Sequence, residues 1–164
     1  MGAAQWIACV GGLDAQIFME MTMKISARNS FQGKITEVKT GAVNSEIALS
    51  IKGGDKIVAT VTNTSVTSLG LAVGKEALAL VKASSVLVLT DGSGYKISAR
   101  NQLSGKISRI HEGPVSAEIS IQLAGGDAVH ATITHEAAVE LGLKVGQTAS
   151  AIFKAGAVIL AVKA

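Results

Sequence analysis

The chain has 164 residues, of which 48% are apolar, 16% charged and 3% aromatic, and its formal net charge is +3. That balance provides no dense basic arm for nucleic acid and too few aromatic rings to stack bases along a strand. The single cysteine, Cys9, excludes a disulfide framework and a thiolate metal cluster, which points to a reducing, cytoplasmic setting.

Residues 1–22 have no counterpart elsewhere in the chain and contain no basic residue, so they do not read as a secretory signal. They are expected to be an extension of unknown role that carries Trp6. No stretch is long and apolar enough to span a bilayer as a helix, so no membrane partner is expected. From residue 23 the chain repeats itself: Lys24 aligns with Lys96 and, without a gap, Thr90 with Val162. About 29 of the 67 aligned positions are identical. The division is therefore a first domain at 23–90, a linker at 91–94 and a second domain at 95–164.

In chain order, each copy opens with an alternating strand (33–39, then 105–111) and continues with a second (46–51, then 118–123). Gly53-Gly54-Asp55 and Gly125-Gly126-Asp127 follow as tight turns, since paired glycines supply positive φ. The return strands are 56–61 and 128–133. Short helices at 64–70 and 135–142 come next, with a Thr cap and a terminal Gly predicted for the first. Apolar strands at 77–81 and 149–153 lead to last runs at 86–89 and 158–162, which are expected to close each unit. The fold class is all-β: two tandem small OB-like Greek-key barrels, each with one short helix. Domains this small and this apolar have more surface to hide than one core can hold, so self-association is expected.

Two motifs recur where folding alone does not require them. Ser26-Ala27-Arg28-Asn29 returns as Ser98-Ala99-Arg100-Asn101, and Lys82-Ala83-Ser84-Ser85 as Lys154-Ala155-Gly156-Ala157. Serine and asparagine donate neutral hydrogen bonds, arginine a rigid fork and lysine a compact charge. The small residues let backbone N–H groups approach a ligand. Neither motif holds a carboxylate, so the set suits an oxyanion and not a hard cation. A solvated strand edge with a gatekeeping lysine remains the alternative on the residues alone. His111, His130 and His135 occupy non-equivalent repeat positions without ligand spacing and read as surface residues. Glu46 and Glu118 are equivalent and read as hairpin or edge contacts. There is no Ser-His-Asp order, Walker loop or GxGxxG, and no pair of base and nucleophile can be named, so no enzyme and no catalytic cofactor are expected.

The segments SARNSFQGKI and SARNQLSGKI, the turns at Gly41 and Gly113, Glu46-Ile47 and Glu118-Ile119, and Lys-Ala-Ser-Ser-Val resemble the molybdenum-pterin-binding (Mop) domain. Two tandem copies resemble a di-Mop molbindin. The resemblance implies cytoplasmic binding of molybdate, and of tungstate, for storage and homeostasis without catalysis. It also implies a homotrimer with sites where subunits meet. Carried over by motif, Ser26, Arg28 and Asn29 would meet Lys82, Ala83 and Ser84, a pairing that need not lie within one repeat or one chain. Ser98, Arg100 and Asn101 would meet Lys154, Ala155 and Gly156, and the second copy has Gly156-Ala157 where the first has Ser84-Ser85, two hydroxyls fewer. The same Mop pair occurs behind a DNA-binding domain in molybdate-responsive regulators; the freestanding carrier is the preferred expectation. An OB-type nucleic-acid-binding module and a pterin-binding structural module are the alternatives.

Overall fold

The computed structural model describes residues 23–164; the extension at 1–22, with Trp6 and Cys9, lies outside the described residues. The first copy contains β1 (Asn29–Thr40), β2 (Asn44–Ser50), β3 (Lys56–Thr62), helix α1 (Asn63–Leu69), β4 (Glu76–Val81) and β5 (Leu87–Leu89). The second contains β6 (Asn101–Glu112), β7 (Ser116–Gln122), β8 (Ala128–Thr134), helix α2 (His135–Glu140), β9 (Thr148–Phe153) and β10 (Ile159–Ala161). The first helix is capped by Thr62 and not by Thr64, so it begins one residue before its expected start, and the second is capped by Thr134; their side chains accept from the N–H of Ser65 and Ala137. Gly70 ends α1 in the left-handed region.

All pairings are antiparallel, in two five-stranded sheets ordered β10-β4-β1-β2-β3 and β5-β9-β6-β7-β8. β10 also approaches β3, and β5 approaches β8, so each sheet curls on itself into an OB-like barrel. The first core holds Phe31, Ile35, Ile47, Leu49 and Ile57; the second holds Leu103, Ile107, Ile119, Ile121 and Val129. Burying each of these large side chains contributes roughly 1.5–3 kcal/mol.

Two features differ from the sequence reading. The alternation of the first strand is broken. A bulge between Ile35 and Glu37 shifts the phase, so that Ile35 and Val38 both turn inward while Glu37 and Lys39 stay exposed. The second copy repeats the bulge between Ile107 and Arg109.

The other difference is that the last runs do not close their own units. β5 pairs with β9 of the second copy, and β10 with β4 of the first. The connection between copies, 91–94, is itself a turn. The Ser93 N–H donates to Asp91 Oδ1 at 2.9 Å, and the Tyr95 N–H to Gly92 O at 3.1 Å. Hydrogen bonds from Ser93, first from its side chain, hold the Asp91 carboxyl below its usual range. Because each barrel borrows a strand from the other, a chain nicked within 91–94 is expected to stay together. Both fragments should co-elute in size-exclusion chromatography without denaturant; separate elution would contradict the exchange.

Candidate anion site

Within each copy the two motifs lie at the same end of one ladder. β1 and β4 pair from Asn29↔Val81 to Lys34↔Glu76, so the chain entering at Arg28 and the chain leaving at Lys82 adjoin. β6 and β9 repeat this with Asn101↔Phe153, which brings Arg100 to Lys154. Ser26 and Ser98 are exposed on the irregular segments leading into β1 and β6. Lys82 and Lys154 are exposed as well.

Each motif pair is seated against the opposite copy. β8 is an edge strand, and an antiparallel edge residue that faces outward leaves its N–H and C=O unpaired. Asn29, 1% exposed, occupies both groups of His130. Its Nδ2 donates to His130 O at 2.8 Å, and its Oδ1 accepts from the His130 N–H at 2.7 Å. Asn101, also 1% exposed, does the same to Val58 on the edge strand β3, at 2.8 and 2.7 Å. The two asparagine amides therefore clamp the copies together and keep at most one N–H each for a ligand.

The arginines are held from across the same boundary. Arg28 Nη2 donates to both carboxylate oxygens of Glu118, at 2.8 and 2.9 Å. Arg100 donates from Nη1 and Nη2 to Glu46, at 2.9 and 2.8 Å. Glu46 and Glu118 are thus bound to the arginine of the opposite copy. The arginine side chains are more than half exposed, so each pair contributes only about 0–1 kcal/mol to stability. A guanidinium has five N–H donors, so each arginine keeps donors beyond those the carboxylate takes.

The Lys-Ala motifs form 3-10 turns, Ala83–Ser85 and Ala155–Ala157, which pack on β8 and β3 respectively. Such a turn satisfies its later N–H groups and leaves the first ones open. Ser85 N–H donates to Lys82 O at 2.9 Å and Val86 N–H to Ala83 O at 3.3 Å. In the second copy Ala157 N–H donates to Lys154 O at 3.0 Å and Val158 N–H to Ala155 O at 3.3 Å. The N–H groups of Ala83, Ser84, Ala155 and Gly156 have no such partner among the described residues. Ala83 and Ala155 are buried, while Ser84 and Gly156 are exposed.

Lys154, Gly156 and Ala157 line one open depression together with Ser85 of the other copy. Ser85 is not among the ligands expected from the sequence. Its signal is its place in the recurring Lys82-Ala83-Ser84-Ser85 motif, which says nothing about the second copy's turn lying beside it. The histidines are less exposed than expected at two positions. His130 and His135 are part-buried, and His130 Nδ1 lies 2.9 Å from Ser120 Oγ; His111 is exposed. No group of three or more His, Cys, Asp or Glu among the described residues could hold a metal ion directly.

Two interlocked OB-like barrels, each carrying the same cationic turn, define a tandem-barrel protein. Residues 25–88 and 97–160 each match the TOBE domain, and the chain belongs to that family in its tandem Mop form. It is 44% identical over 149 residues to the molybdenum transport protein ModE of Herbaspirillum seropedicae, covering 91% of this chain and 55% of that protein. It is 43% identical over 141 residues to the molybdenum-pterin-binding protein MopA of Rhodobacter capsulatus, covering 86% and 53%. The chain spans about half the length of these curated relatives. The crystal structure of the cytoplasmic molybdate-binding protein ModG with molybdate bound superposes with a TM-score of 0.84 at 52% identity, covering 86% of this chain and all of that one.

Proposed function

We propose that this protein binds molybdate, and tungstate with it, as a small oxyanion held for intracellular storage in the cytoplasm, with no catalytic step. The observation that carries this reading is the donor set at each Lys-Ala turn: a lysine, an arginine and two open backbone N–H groups at one end of a ladder. The likeness to ModG, a cytoplasmic molybdate-binding protein, supports the choice of anion. The first site comprises Ser26, Arg28, Lys82, Ala83 and Ser84, with Asn29 positioning them. The second comprises Ser98, Arg100, Lys154, Ala155 and Gly156, with Asn101 in the same role.

The working form is a homotrimer. Exposed apolar residues recur at equivalent places in both copies, Val43 with Val115, Val73 with Val145 and Leu87 with Ile159. Coincident apolar exposure of this kind suits burial against further subunits.

Molybdate is larger than sulfate, so donors spaced for its longer bonds leave sulfate oxygens short of partners, at about 1–3 kcal/mol for each unmet group. Isothermal titration is expected to give sulfate an affinity at least about tenfold below those of molybdate and tungstate. Arg28→Ala is expected to weaken molybdate binding more than His130→Ala. Equal affinity for sulfate would remove the selective oxyanion reading.

A second reading is favoured by the ModE relatives, one of which, from Yersinia pestis, is a transcriptional regulator, 33% identical over 141 residues. In that reading the same sites sense the anion for a regulator. Molybdate-dependent retardation of promoter DNA by the full gene product would establish it.

A further inference from the structure

We infer that Glu46 and Glu118 are positioning residues of the anion sites, each acting on the site of the opposite copy. This rests on the oxyanion reading above. Glu118 belongs to β7 of the second copy, yet both its oxygens take hydrogen bonds from Arg28 of the first, and Glu46 of β2 does the same for Arg100. The glutamates are the better-buried members, 27% and 31% exposed against 61% and 57% for the arginines. Each carboxylate is therefore the fixed side of the pair, and the guanidinium is the side held.

An arginine free in solvent loses side-chain entropy when it grips an anion. A guanidinium already bound to a carboxylate, through Nη2 alone in Arg28 and through Nη1 and Nη2 in Arg100, presents its remaining N–H donors in one orientation, so little further ordering is needed. The carboxylate also balances the guanidinium charge. That leaves Lys82 or Lys154 and the open N–H groups as the net attraction on the anion. Because each site takes its arginine and lysine from one copy and its glutamate from the other, neither copy supplies all of its own site.

The arrangement predicts a crossed pattern of damage. In a Lys154→Ala background, where the first site is left to bind, Glu118→Gln is expected to weaken molybdate binding about tenfold, the loss typical when a group that orients a ligand is removed. In a Lys82→Ala background the same Glu118→Gln change is expected to leave the remaining affinity unaltered. Glu46→Gln should show the mirror image. Thermal melting of each variant checks that the fold persists, since the pair itself contributes little to stability. Affinity unchanged in both backgrounds, or lowered equally in both, would overturn the inference. Failure of the wild-type protein to take up molybdate at all would instead overturn the oxyanion reading.

Discussion

Replacing Gly125 with alanine is expected to destabilise the protein by about 3 kcal/mol, which lowers the melting temperature by roughly 6–12 °C for a chain of this size. The tips of the β2–β3 and β7–β8 turns meet backbone to backbone. A Cβ on Gly125 would lie 2.2 Å from Lys52 O and 2.7 Å from Gly53 N, and a Cβ on Gly53 would lie 2.5 Å from Gly125 Cα. Neither neighbour is a flexible side chain, so the two copies must separate locally to admit the methyl group. Gly53→Ala adds strain to the same clash, because Gly53 has φ +80. Gly156→Ala is the control: a Cβ there meets nothing within 4 Å and its φ is not in the left-handed region, so melting should be nearly unchanged. Differential scanning calorimetry of the three variants decides the matter. A Gly125→Ala protein as stable as Gly156→Ala would mean that the tips do not touch.

That contact marks the boundary of what the sequence makes legible. Paired glycines announce a turn, and the turn is there, but the glycines at 53 and 125 are required as much by each other as by their own hairpins. The same limit governs the final runs at 86–89 and 158–162. Their apolar pattern identifies strands, and both copies carry it equally, so nothing local distinguishes pairing within a copy from exchange between copies. The bulges at 35–37 and 107–109 were hidden for a different reason. Thr36 and Glu37 can be read as part of a regular alternation, and only the need to bury Val38 while exposing Glu37 and Lys39 shows that the phase slips.

The site followed the same division. The residue types at 26–29 and 82–84 pointed to a donor-only set, and the β1–β4 ladder does bring those segments together. What the residues could not reveal is that Glu118 and Glu46 arrive from the opposite copy. A motif without acids in sequence is one with an acid in space. The asparagines were similarly ambiguous, since an amide suited to an anion is equally suited to an edge strand's unpaired backbone.

Asn29→Ala is expected to cost about 3 kcal/mol, because it leaves both the N–H and the C=O of His130 without their partner at a position that is 1% exposed. Asn29→Asp separates the two bonds. The aspartate can still accept from the His130 N–H, but its second oxygen faces the His130 carbonyl and can donate to it only when protonated. Burial and that carbonyl both favour the neutral acid, so the folded state holds the proton more tightly than the unfolded chain, whose carboxyl titrates near pH about 3.9. The folded protein then binds more protons than the unfolded one over the window above that value, and stability falls as pH rises through it. Melting curves from pH 4 to pH 8 should therefore show the Asp variant close to wild type at the acid end and progressively less stable toward neutrality. A gap between the two proteins that does not change with pH would mean that the amide nitrogen is not the group facing His130 O. The clamp would then rest on the N–H bond alone, and the loss in Asn29→Ala should shrink toward that of a single unmet donor.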